Sequence, residues 1–450
     1  MKKIIICLFV LQILPMTAQE HFSGITTSKR VGILSGGINP SEFANLSSKI
    51  EINLFASSFN VSNNKVGFKD IINGNNIENL IFAGNDPVNF SIDAQFAGPS
   101  VAIKALGWGF GISTKSFVKA NIIDVDPNLG DAVTNNGISS ILAQTIISNN
   151  YNQRLNTTAW GEIGFSAARQ IFANKLHKLN GGITLKLLFP GAYANIGAGN
   201  FKGTITQQPN GLFLSDAKAS LNIAYSGSLS GNYNNVSDYT SNLFGSLNGM
   251  ATDIGFDYQF LPSGKNYRLK VGAAIKNMGS MTFKGNNNYA TDYSLTIPAA
   301  TLLEPGFNLN KLDNAESIKD IEKILKDNNV ITSTPQKNDF KVKLPTVLNL
   351  YADVNIVPKL NVTLFLQQKM NNNNANDQIT SQNSFSVTPR INLGFFEAYI
   401  PVGFNEISGT TGGLGFRLGG FFLGSNSIIT ALTNDSKQAD IYFGTRFGFL

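Results

Sequence analysis

The sequence is 450 residues long, carries a formal net charge of +6, and has only 14% charged residues. The net charge is too small to indicate nucleic-acid binding, and the charged fraction is far below the ~25% usual in soluble domains. Beyond the N-terminal leader, no stretch approaches the ~20 consecutive apolar residues that a transmembrane helix requires. The 33 phenylalanines and 43 glycines are instead dispersed along the chain, which favours strands with one apolar face.

The N-terminal leader has the pattern of an export signal. A basic start precedes an apolar run from Ile4 to Leu14, and Ala18 follows at a suitable cleavage position. Cys7, the single cysteine of the chain, lies inside this run and not at its end, where a lipoprotein cysteine would stand. We therefore predict a signal peptide over residues 1–18 and an exported mature chain without disulfides or thiolate metal sites.

Alternation of apolar and polar residues begins near residue 49 and recurs to the end of the chain. In the first segment, Ile50, Ile52 and Leu54 alternate with polar neighbours. Successive side chains of a strand point to opposite faces, so each segment has one face suited to lipid and one suited to water. The later segments with this pattern are 90–96, 108–115, 159–167, 179–189, 217–225, 252–260, 267–275, 348–356, 362–366, 385–395, 398–404, 414–418 and 439–450.

The connections between these segments are alternately short and long. Short connections include 261–266 and 419–420, and long connections include 121–158 and 277–343. Short periplasmic turns and long outer loops are typical of outer-membrane barrels, whereas a soluble sheet would have to bury the many phenylalanine faces. We predict an all-β fold, a transmembrane antiparallel β-barrel of about 14–16 strands with sixteen favoured, over residues 49–450.

Two of the long loops contain apolar residues at helical spacing. The first set is Ile138, Ile141, Leu142, Thr145 and Ile146, and the second is Ile318, Ile321, Ile324 and Leu325. Glu322 and Lys326 at i, i+4 further support the second helix. We expect both short helices to cap the outer mouth by burying their apolar stripes against other loops. The alternative is that one of them forms a lid or part of a hydrophobic substrate site.

Charged residues also recur on the polar faces of the predicted strands. Charges inside a barrel either pair across the lumen and brace its wall or line a path for a solute, and the sequence leaves both interpretations open. A barrel of fourteen or more strands is wide enough to leave a lumen unless something fills it. The candidates for the lumen are Asp93, Glu162, Lys186, Asp253, Asp257, Arg268, Lys270, Asp353, Arg390, Arg417 and Arg446.

The inventory of reactive residues gives little support to an enzyme. The chain contains two histidines, His21 and His177, and neither has a metal-binding or nucleophilic partner at a recognisable spacing. Neither a GxSxG elbow nor a phosphate-binding P-loop is present. We therefore expect no catalytic activity and no cofactor.

One acidic loop segment has a weak similarity to a calcium loop. Asp124, Asp126 and Asn128 are spaced like the first ligands of an EF-hand loop. That loop requires glycine at its sixth position, where this sequence has Leu129. We expect a polar outer loop with an Asp-Pro turn, and a metal site only as the weaker alternative.

Several segments resemble a known group of proteins. The stretch GINPSEFAN (Gly37–Asn45) resembles the Asn-Pro-Ala opening of FadL-like and related outer-membrane proteins of the Bacteroidota, with serine in place of alanine. Segments 96–117, 267–283, 344–354 and 387–425 are similar to the same group. Together they resemble a family of uncharacterised Bacteroidota outer-membrane barrels. Some members carry a C-terminal OmpA-like domain, whereas this chain ends at the barrel.

The resemblance implies a passive, FadL-like channel for small hydrophobic solutes in the outer membrane of a Gram-negative bacterium. It also implies that residues 19–48 form an N-terminal periplasmic or plug segment, in which Asn39 and Pro40 help to fill the lumen. The implied partners are outer-membrane lipid and the barrel-assembly machinery, which reads a C-terminal aromatic strand. The alternative is a closed structural or interaction barrel that serves envelope assembly, secretion or surface display.

The end of the chain shows the strand pattern most clearly. Ile441, Phe443, Phe447 and Phe449 are apolar and alternate with polar or small residues. A barrel's last strand pairs with its first, so this strand needs no covering loop. We expect the four apolar side chains to face lipid and Arg446 to face the lumen.

Overall fold

A computed structural model describes residues 21–28, 32–134, 144–226, 245–262, 266–284, 288–333, 339–433 and 435–449. The predicted signal peptide, residues 1–18, and most of the first predicted loop helix lie outside these ranges. Of the helices that are described, none is both long and apolar enough to cross a membrane. The helices are α1 (Gly32–Gly36), α2 (Phe68–Ile72), α3 (Ile77–Ile81), α4 (Pro127–Thr134), α5 (Ile318–Asp327) and α6 (Ile428–Thr433), with the 3₁₀ turns η1 (Pro40–Asn45) and η2 (Leu309–Leu312).

The strands close into a ring of fourteen antiparallel positions. The first strand, β1 (Ile50–Asn63), pairs with the last, β23 (Gln438–Phe449), so that Ile50 lies opposite Phe449. A closed ring has no free edge, which is the condition for a sheet that crosses a membrane. The positions between them are β2 (Val88–Ala97) continued by β3 (Ser100–Ala105), β4 (Trp108–Val125), β6 (Asn152–Ala173), β7 (His177–Gln208), β9 (Gly249–Phe260), β10 (Leu269–Phe283), β14 (Phe340–Lys343) continued by β15 (Val347–Val357), β16 (Leu360–Lys369), β17 (Ser384–Asn392), β18 (Phe396–Tyr399) continued by β19 (Val402–Asn405), β20 (Gly409–Gly412) continued by β21 (Leu414–Leu418), and β22 (Phe421–Ser425).

Further strands extend the sheet beyond one end of the ring. Residues 177–188 of β7 pair with β9 inside the ring, whereas residues 193–208 pair with β8 (Gly211–Ser226). Residues 217–225 alternate as a ring strand would, yet they belong to β8, which explains why the ring has fewer strands than the favoured sixteen. The other strands outside the ring are β5 (Gln144–Ser148), β11 (Tyr289–Ile297), β12 (Phe307–Asn308) and β13 (Ile331–Ser333).

The extension and helix α5 share a hydrophobic core, and together they are termed the cap. Ser317 accepts a hydrogen bond from the backbone N–H of Asp320 at 3.2 Å and so caps the N-terminus of α5. Ile318 is buried in the core of the cap, and Ile324 and Leu325 pack against it. The second predicted helix is therefore confirmed, with its apolar stripe covered by the cap.

The prediction of a helix around Ile138 is wrong in the part that the structure describes. Thr145 and Ile146 lie in β5, where Thr145 pairs with Ile205 of β7. Ile147 is 2% exposed and Ile146 is 75% exposed, so burial follows the two-residue period of a strand. Pairing with β7 therefore overrides the helical spacing of the isolated segment. Residues 138–142 lie outside the described part of the chain.

The outer face of the ring is a continuous apolar belt, and this confirms a transmembrane barrel. On the closing strand, Ile441, Phe447 and Phe449 are exposed, whereas Tyr442 and Arg446 are buried on the opposite face. A soluble protein rarely leaves so many large apolar side chains exposed. Other members of the belt are Ile50, Phe59, Ile92, Val101, Ile103, Phe110, Ile112, Phe165, Ile183, Leu185, Ile254, Phe256, Leu350, Phe404, Leu414 and Phe421.

Candidate functional site: an occupied barrel lumen

The N-terminal part of the chain turns back into the ring and occupies its lumen. Residues 21–28 and 32–46, termed the inner segment, contain α1 and η1 and are almost entirely buried. The segment contacts opposite walls of the ring, since Asn39 bonds to β9 while Tyr442 of β23 donates to the carbonyl of Ser23 at 2.6 Å. The candidate site is therefore the space that the inner segment and the inner wall share.

Asn39 anchors the inner segment to the wall. Its Nδ2 donates to the carbonyl of Phe256 at 2.9 Å and to the hydroxyl of Tyr351 at 3.2 Å. Its Oδ1 accepts from the backbone N–H of Ser41 at 3.0 Å, which caps η1. Pro40 follows at the first position of η1, where its missing N–H costs no hydrogen bond. The structure thus places both predicted plug residues inside the ring, with Asn39 fully buried.

Glycines of the wall allow the inner segment to approach this closely. A Cβ added to Gly255 of β9 would lie 2.1 Å from Oδ1 of Asn39. A Cβ added to Gly182 of β7 would lie 2.5 Å from the carbonyl carbon of Pro40. Either contact is shorter than van der Waals separation, so a larger side chain at these positions would displace the segment.

The first group of buried charges surrounds η1. Lys270 of β10 forms an ion pair with Glu42 at 2.8 Å, and Tyr351 also donates to this carboxylate. Asn45 donates to Asp257 at 3.0 Å, which ties the end of η1 to β9. Because these polar groups are buried and partnered, they hold η1 in one position on the wall.

A second group of buried charges contacts the beginning of the inner segment. Arg390 of β17 lies 3.0 Å from Asp353 and 3.1 Å from Glu397, and Arg417 shares the Glu397 carboxylate at 3.1 Å. Arg390 also donates to the carbonyl of Gly24 at 3.2 Å, and Ser28 donates to Glu397 at 2.8 Å. The same network therefore braces the wall and holds the inner segment.

A third group of charges lies on the side of the lumen formed by β2, β4, β6, β7 and β9. Lys186 lies 2.8 Å from Asp253 and 3.7 Å from Glu162, and Lys115 lies 3.4 Å from Glu162. Asp93 of β2 pairs with Lys119 and with His21 of the inner segment. The His21 Nε2 atom is 3.2 Å from that carboxylate.

The structure places ten of the eleven predicted lumen charges in buried positions inside the ring, and Arg268 is the exception. Arg268 is exposed and precedes β10, so its prediction as a lumen residue is wrong. Tyr267 is buried instead and donates its hydroxyl to Asp353 at 2.5 Å. The regular two-residue alternation fails here because the residues before Leu269 belong to the turn and not to the strand. Arg446 is buried on the inner face of β23.

In the polar loop that offered a metal site as its weaker alternative, Asp126 caps a helix. Oδ1 of Asp126 accepts from the backbone N–H groups of Asn128 at 3.0 Å and Leu129 at 3.3 Å, at the start of α4. Asp124 accepts from Asn89 at 3.0 Å. Within the described ranges, no group of three or more metal-ligating side chains lies close enough together to hold an ion.

Two acidic residues of the site escaped prediction. Glu42 lies in a 3₁₀ turn, where strand alternation gives no information about direction. Glu397 lies directly after a tight turn, in which the N–H of Leu393 bonds to the carbonyl of Phe396, and the structure places it in β18. Glu397 and Tyr399 are two residues apart on one strand and therefore share a face, and Tyr399 is also buried. This alternation is the sequence feature that indicates a buried Glu397.

A cavity of about 100 Å³ remains between the inner segment and the wall. The inner segment contributes apolar residues to it, among them Phe22, Ile33 and Leu34. The wall contributes both aromatic rings and lysines. Its lining is therefore amphipathic, and it includes ion-paired side chains such as Lys186 and Glu162.

The sequence model of one protein family matches residues 40–426, and this family is described as "Family of unknown function (DUF5723)". No curated protein matches the chain. The match covers the inner segment from Pro40 onward and the ring as far as β22.

Among solved structures, the chain is similar to the toluene transporter TbuX of Ralstonia pickettii, with 11% identity and a TM-score of 0.41 over 93% of this chain and 94% of that one. It is similar to the Pseudomonas putida toluene transporter TodX, with 9% identity and a TM-score of 0.41 over 94% of each chain. It is also similar to the translocator domain of the autotransporter NalP from Neisseria meningitidis, with 6% identity and a TM-score of 0.31 over 89% of each. All three likenesses are distant.

Proposed function

The chain belongs to the DUF5723 family of unknown function, and we propose that it is an outer-membrane β-barrel that gives small solutes a passive, gated route. One observation carries the proposal. Among the described residues, every backbone–backbone hydrogen bond of the inner segment lies within the segment itself. Over its described residues, the segment therefore fills the lumen without joining the sheet, and side-chain contacts hold it on the wall.

A segment held in this way can leave while the barrel stays intact. If the inner segment moved, all backbone hydrogen bonds between the ring strands would remain. Displacement of a strand would instead open the sheet. Fourteen strands enclose enough space for a passage once the filling is removed. The inner segment is thus the gate in this proposal, and its contacts with Lys270 and Arg390 set the cost of opening.

The location and the solute class belong to the same proposal. The apolar belt supports a place in the outer membrane of a Gram-negative bacterium, reached through the signal peptide predicted over residues 1–18. The closing strand would be read by the barrel-assembly machinery, and the belt would contact outer-membrane lipid. Apolar cavity residues such as Phe22 and Phe365 support passage of small hydrophobic solutes. The proposal assigns the protein no catalytic role.

Solute flux through the refolded barrel tests the proposal. Liposome swelling in an isotonic small sugar would be compared for the wild type and a variant with Asn39→Ala and Glu42→Gln. We expect several-fold faster swelling for the variant, because both anchors of η1 are removed. Asp377→Asn is a matched control, since this residue forms an exposed ion pair away from η1. Equal and negligible swelling of all three proteins would overturn the gated route.

A second candidate function is a closed structural or interaction barrel, and an observation on the cap favours it. Leu302 and Leu303, between β11 and β12, are fully exposed, and adjacent exposed leucines on a loop are typical of a protein-binding surface. A photo-cross-linker at Leu303 in intact cells would test this candidate. A discrete adduct that is lost in a Leu302→Ser variant would support it, and the absence of any adduct would contradict it.

A further inference from the structure

One ammonium group that lines the lumen cavity differs from its neighbours. Lys115, Lys119 and Lys186 line the cavity and each forms an ion pair with a carboxylate. Lys276 of β10 lines the same cavity. Among the described residues, the Lys276 Nζ forms neither an ion pair nor a hydrogen bond. Asp253 and Glu162 are near enough to attract this ammonium group, but no described residue accepts a hydrogen bond from it.

A second donor without a partner lines the same space. Trp160 is 3% exposed, and its Nε1–H has no hydrogen-bond partner among the described residues. Buried donors are almost always bonded, so an orphaned indole N–H that lines a cavity indicates an acceptor on a ligand. The Lys276 ammonium and the Trp160 N–H are both hydrogen-bond donors, so both favour a ligand atom that accepts hydrogen bonds.

The rest of the lining provides an apolar surface for the body of such a ligand. Phe117 stacks on Trp160 with ring centroids 4.6 Å apart and an interplanar angle of 13°. Phe22 and Phe365 also contribute to the lining. The volume of about 100 Å³ is several times the ~10–15 Å³ that one water molecule requires. The cavity is therefore large enough for more than water.

We propose that the lumen cavity binds a compact organic anion with one negative charge and a flat apolar face, such as an aromatic monocarboxylate. Lys276 would neutralise the charge, the Trp160 N–H would donate to the same oxygens, and Phe117 with Phe365 would contact the apolar body. Charge-assisted hydrogen bonds in a site of low dielectric are the strong ones, so the carboxylate is the main anchor. This inference rests on the proposed function in that it names a solute class for the route, but binding is measurable without transport.

The tryptophan content allows a direct binding assay on the full-length barrel. The chain has two tryptophans, and Trp108 lies on β4, where it stacks on Phe110. In a Trp108→Phe background, Trp160 is the sole indole and reports on the cavity by fluorescence. The probe is 4-nitrobenzoate, which quenches indole on contact, and the matched neutral probe is 4-nitrobenzyl alcohol. Circular dichroism and heat-modifiable migration would establish that each variant is folded.

We expect saturable quenching by 4-nitrobenzoate and only linear quenching by the alcohol. Lys276→Met should raise the apparent Kd for 4-nitrobenzoate at least tenfold, and Lys276→Arg, which keeps the charge, should retain binding. Lys218→Met is the control for loss of one positive charge, because Lys218 is exposed on the cap. If Lys276→Met does not fold, Lys276→Gln replaces it.

Two results would overturn the anion site. One is identical quenching by the acid and the alcohol, and the other is an unchanged Kd in the folded Lys276→Met or Lys276→Gln variant. Liposome swelling of the same proteins separates this inference from the proposed function. Saturable binding without flux in any variant would overturn the gated route and keep the anion site, whereas flux without saturable binding would overturn the anion site alone.

Discussion

The carboxylate of Glu42 lies 2.8 Å from the ammonium of Lys270, and both side chains are buried between the inner segment and β10. The two residues are far apart in the sequence, so the pair forms only when the segment is seated in the closed ring. Tyr351 and Asn45 donate to the same carboxylate. This group of contacts links the position of a non-strand segment to the inner wall of the barrel.

The first prediction concerns the loss of one partner from this pair. Lys270→Met leaves the Glu42 carboxylate buried without compensation, which typically costs about 3–5 kcal/mol. We expect the inner segment to detach, and protease cleavage within residues 32–46 should become fast while the ring stays folded. The double variant with Glu42→Gln should restore much of the protection, because no buried charge is then left unpaired. Equal protection in Lys270→Met and the wild type would contradict the role of the pair.

The second prediction concerns the close approach at Gly255. Gly255→Ala places a methyl group 2.1 Å from Oδ1 of Asn39, so the anchor must move. Single-channel recordings should show frequent openings in this variant. Gly412→Ala is the matched control, because a Cβ there would meet its nearest atom, on Thr430, at an ordinary 3.6 Å. Indistinguishable recordings from the two variants would mean that the contact at Asn39 does not hold the gate.

The third prediction concerns the shared carboxylate of Glu397. Glu397→Gln removes the charge that Arg390 and Arg417 share in the interior, and we expect a loss of about 3–5 kcal/mol in the free energy of unfolding. The temperature at which the barrel loses its compact migration in gels would measure the loss. Asp377→Asn breaks the exposed pair with Lys343, for which about 0–1 kcal/mol is typical. Equal temperatures for both variants would refute a bracing role for the buried network.

The fourth prediction concerns pH and the cap. Burial alone would raise the pKa of Glu322 on α5, but hydrogen bonds from Lys326, Tyr289 and Tyr293 and the Lys326 charge lower it below its usual value. Because the folded-state pKa is depressed, this contribution to stability is present above the unfolded value of about 4.3 and is lost as pH falls through the folded value. The protection factors of the α5 amides, which correct hydrogen exchange for its intrinsic pH dependence, should therefore fall as the pH falls through this window.

Glu322→Gln is the control for the pH prediction. This substitution removes the titrating group, so the protection factors of the α5 amides should be lower at neutral pH and should show little further decrease in acid. An unchanged acid response in the variant would assign the effect to another group. The Lys326 pair contributes modestly, since its side chain is half exposed.

The fold was largely predictable from the sequence because a ring of strands repeats one local rule. Ile441 and Phe447 face outward and Arg446 inward, as two-residue alternation requires. Alternation does not show which strands belong to the ring, and segment 217–225 has the pattern of a ring strand although it lies in the cap. Thr145 and Ile146 show the same limit, because pairing with β7 decided their conformation.

The site was less predictable than the fold, because its key contacts join segments that are distant in the sequence. Two-residue alternation predicts which charged side chains on regular strands face the lumen. It gives the wrong direction for Arg268, because this residue lies in a turn. The buried position of Glu42 could not be predicted, because a 3₁₀ turn has no two-residue alternation. Nothing in the sequence indicates that Lys270 is its partner. Lys276 and Trp160 lie on different strands, and only the closed ring brings them to one cavity.

A reversible covalent lock tests the central claim, that the inner segment closes the lumen. The ideal Cβ of Gly255 lies 2.9 Å from Cγ of Asn39, which is one bond from the Asn39 Cβ, so cysteines at both positions would have Cβ atoms closer than the ~4.5 Å upper limit for a disulfide. The Asn39→Cys, Gly255→Cys variant would be recorded in a planar bilayer before and after addition of a reductant. The account predicts a closed barrel when oxidised and repeated openings after reduction, because the lock and the Asn39 anchor are then both absent. The same conductance in the two states would contradict it.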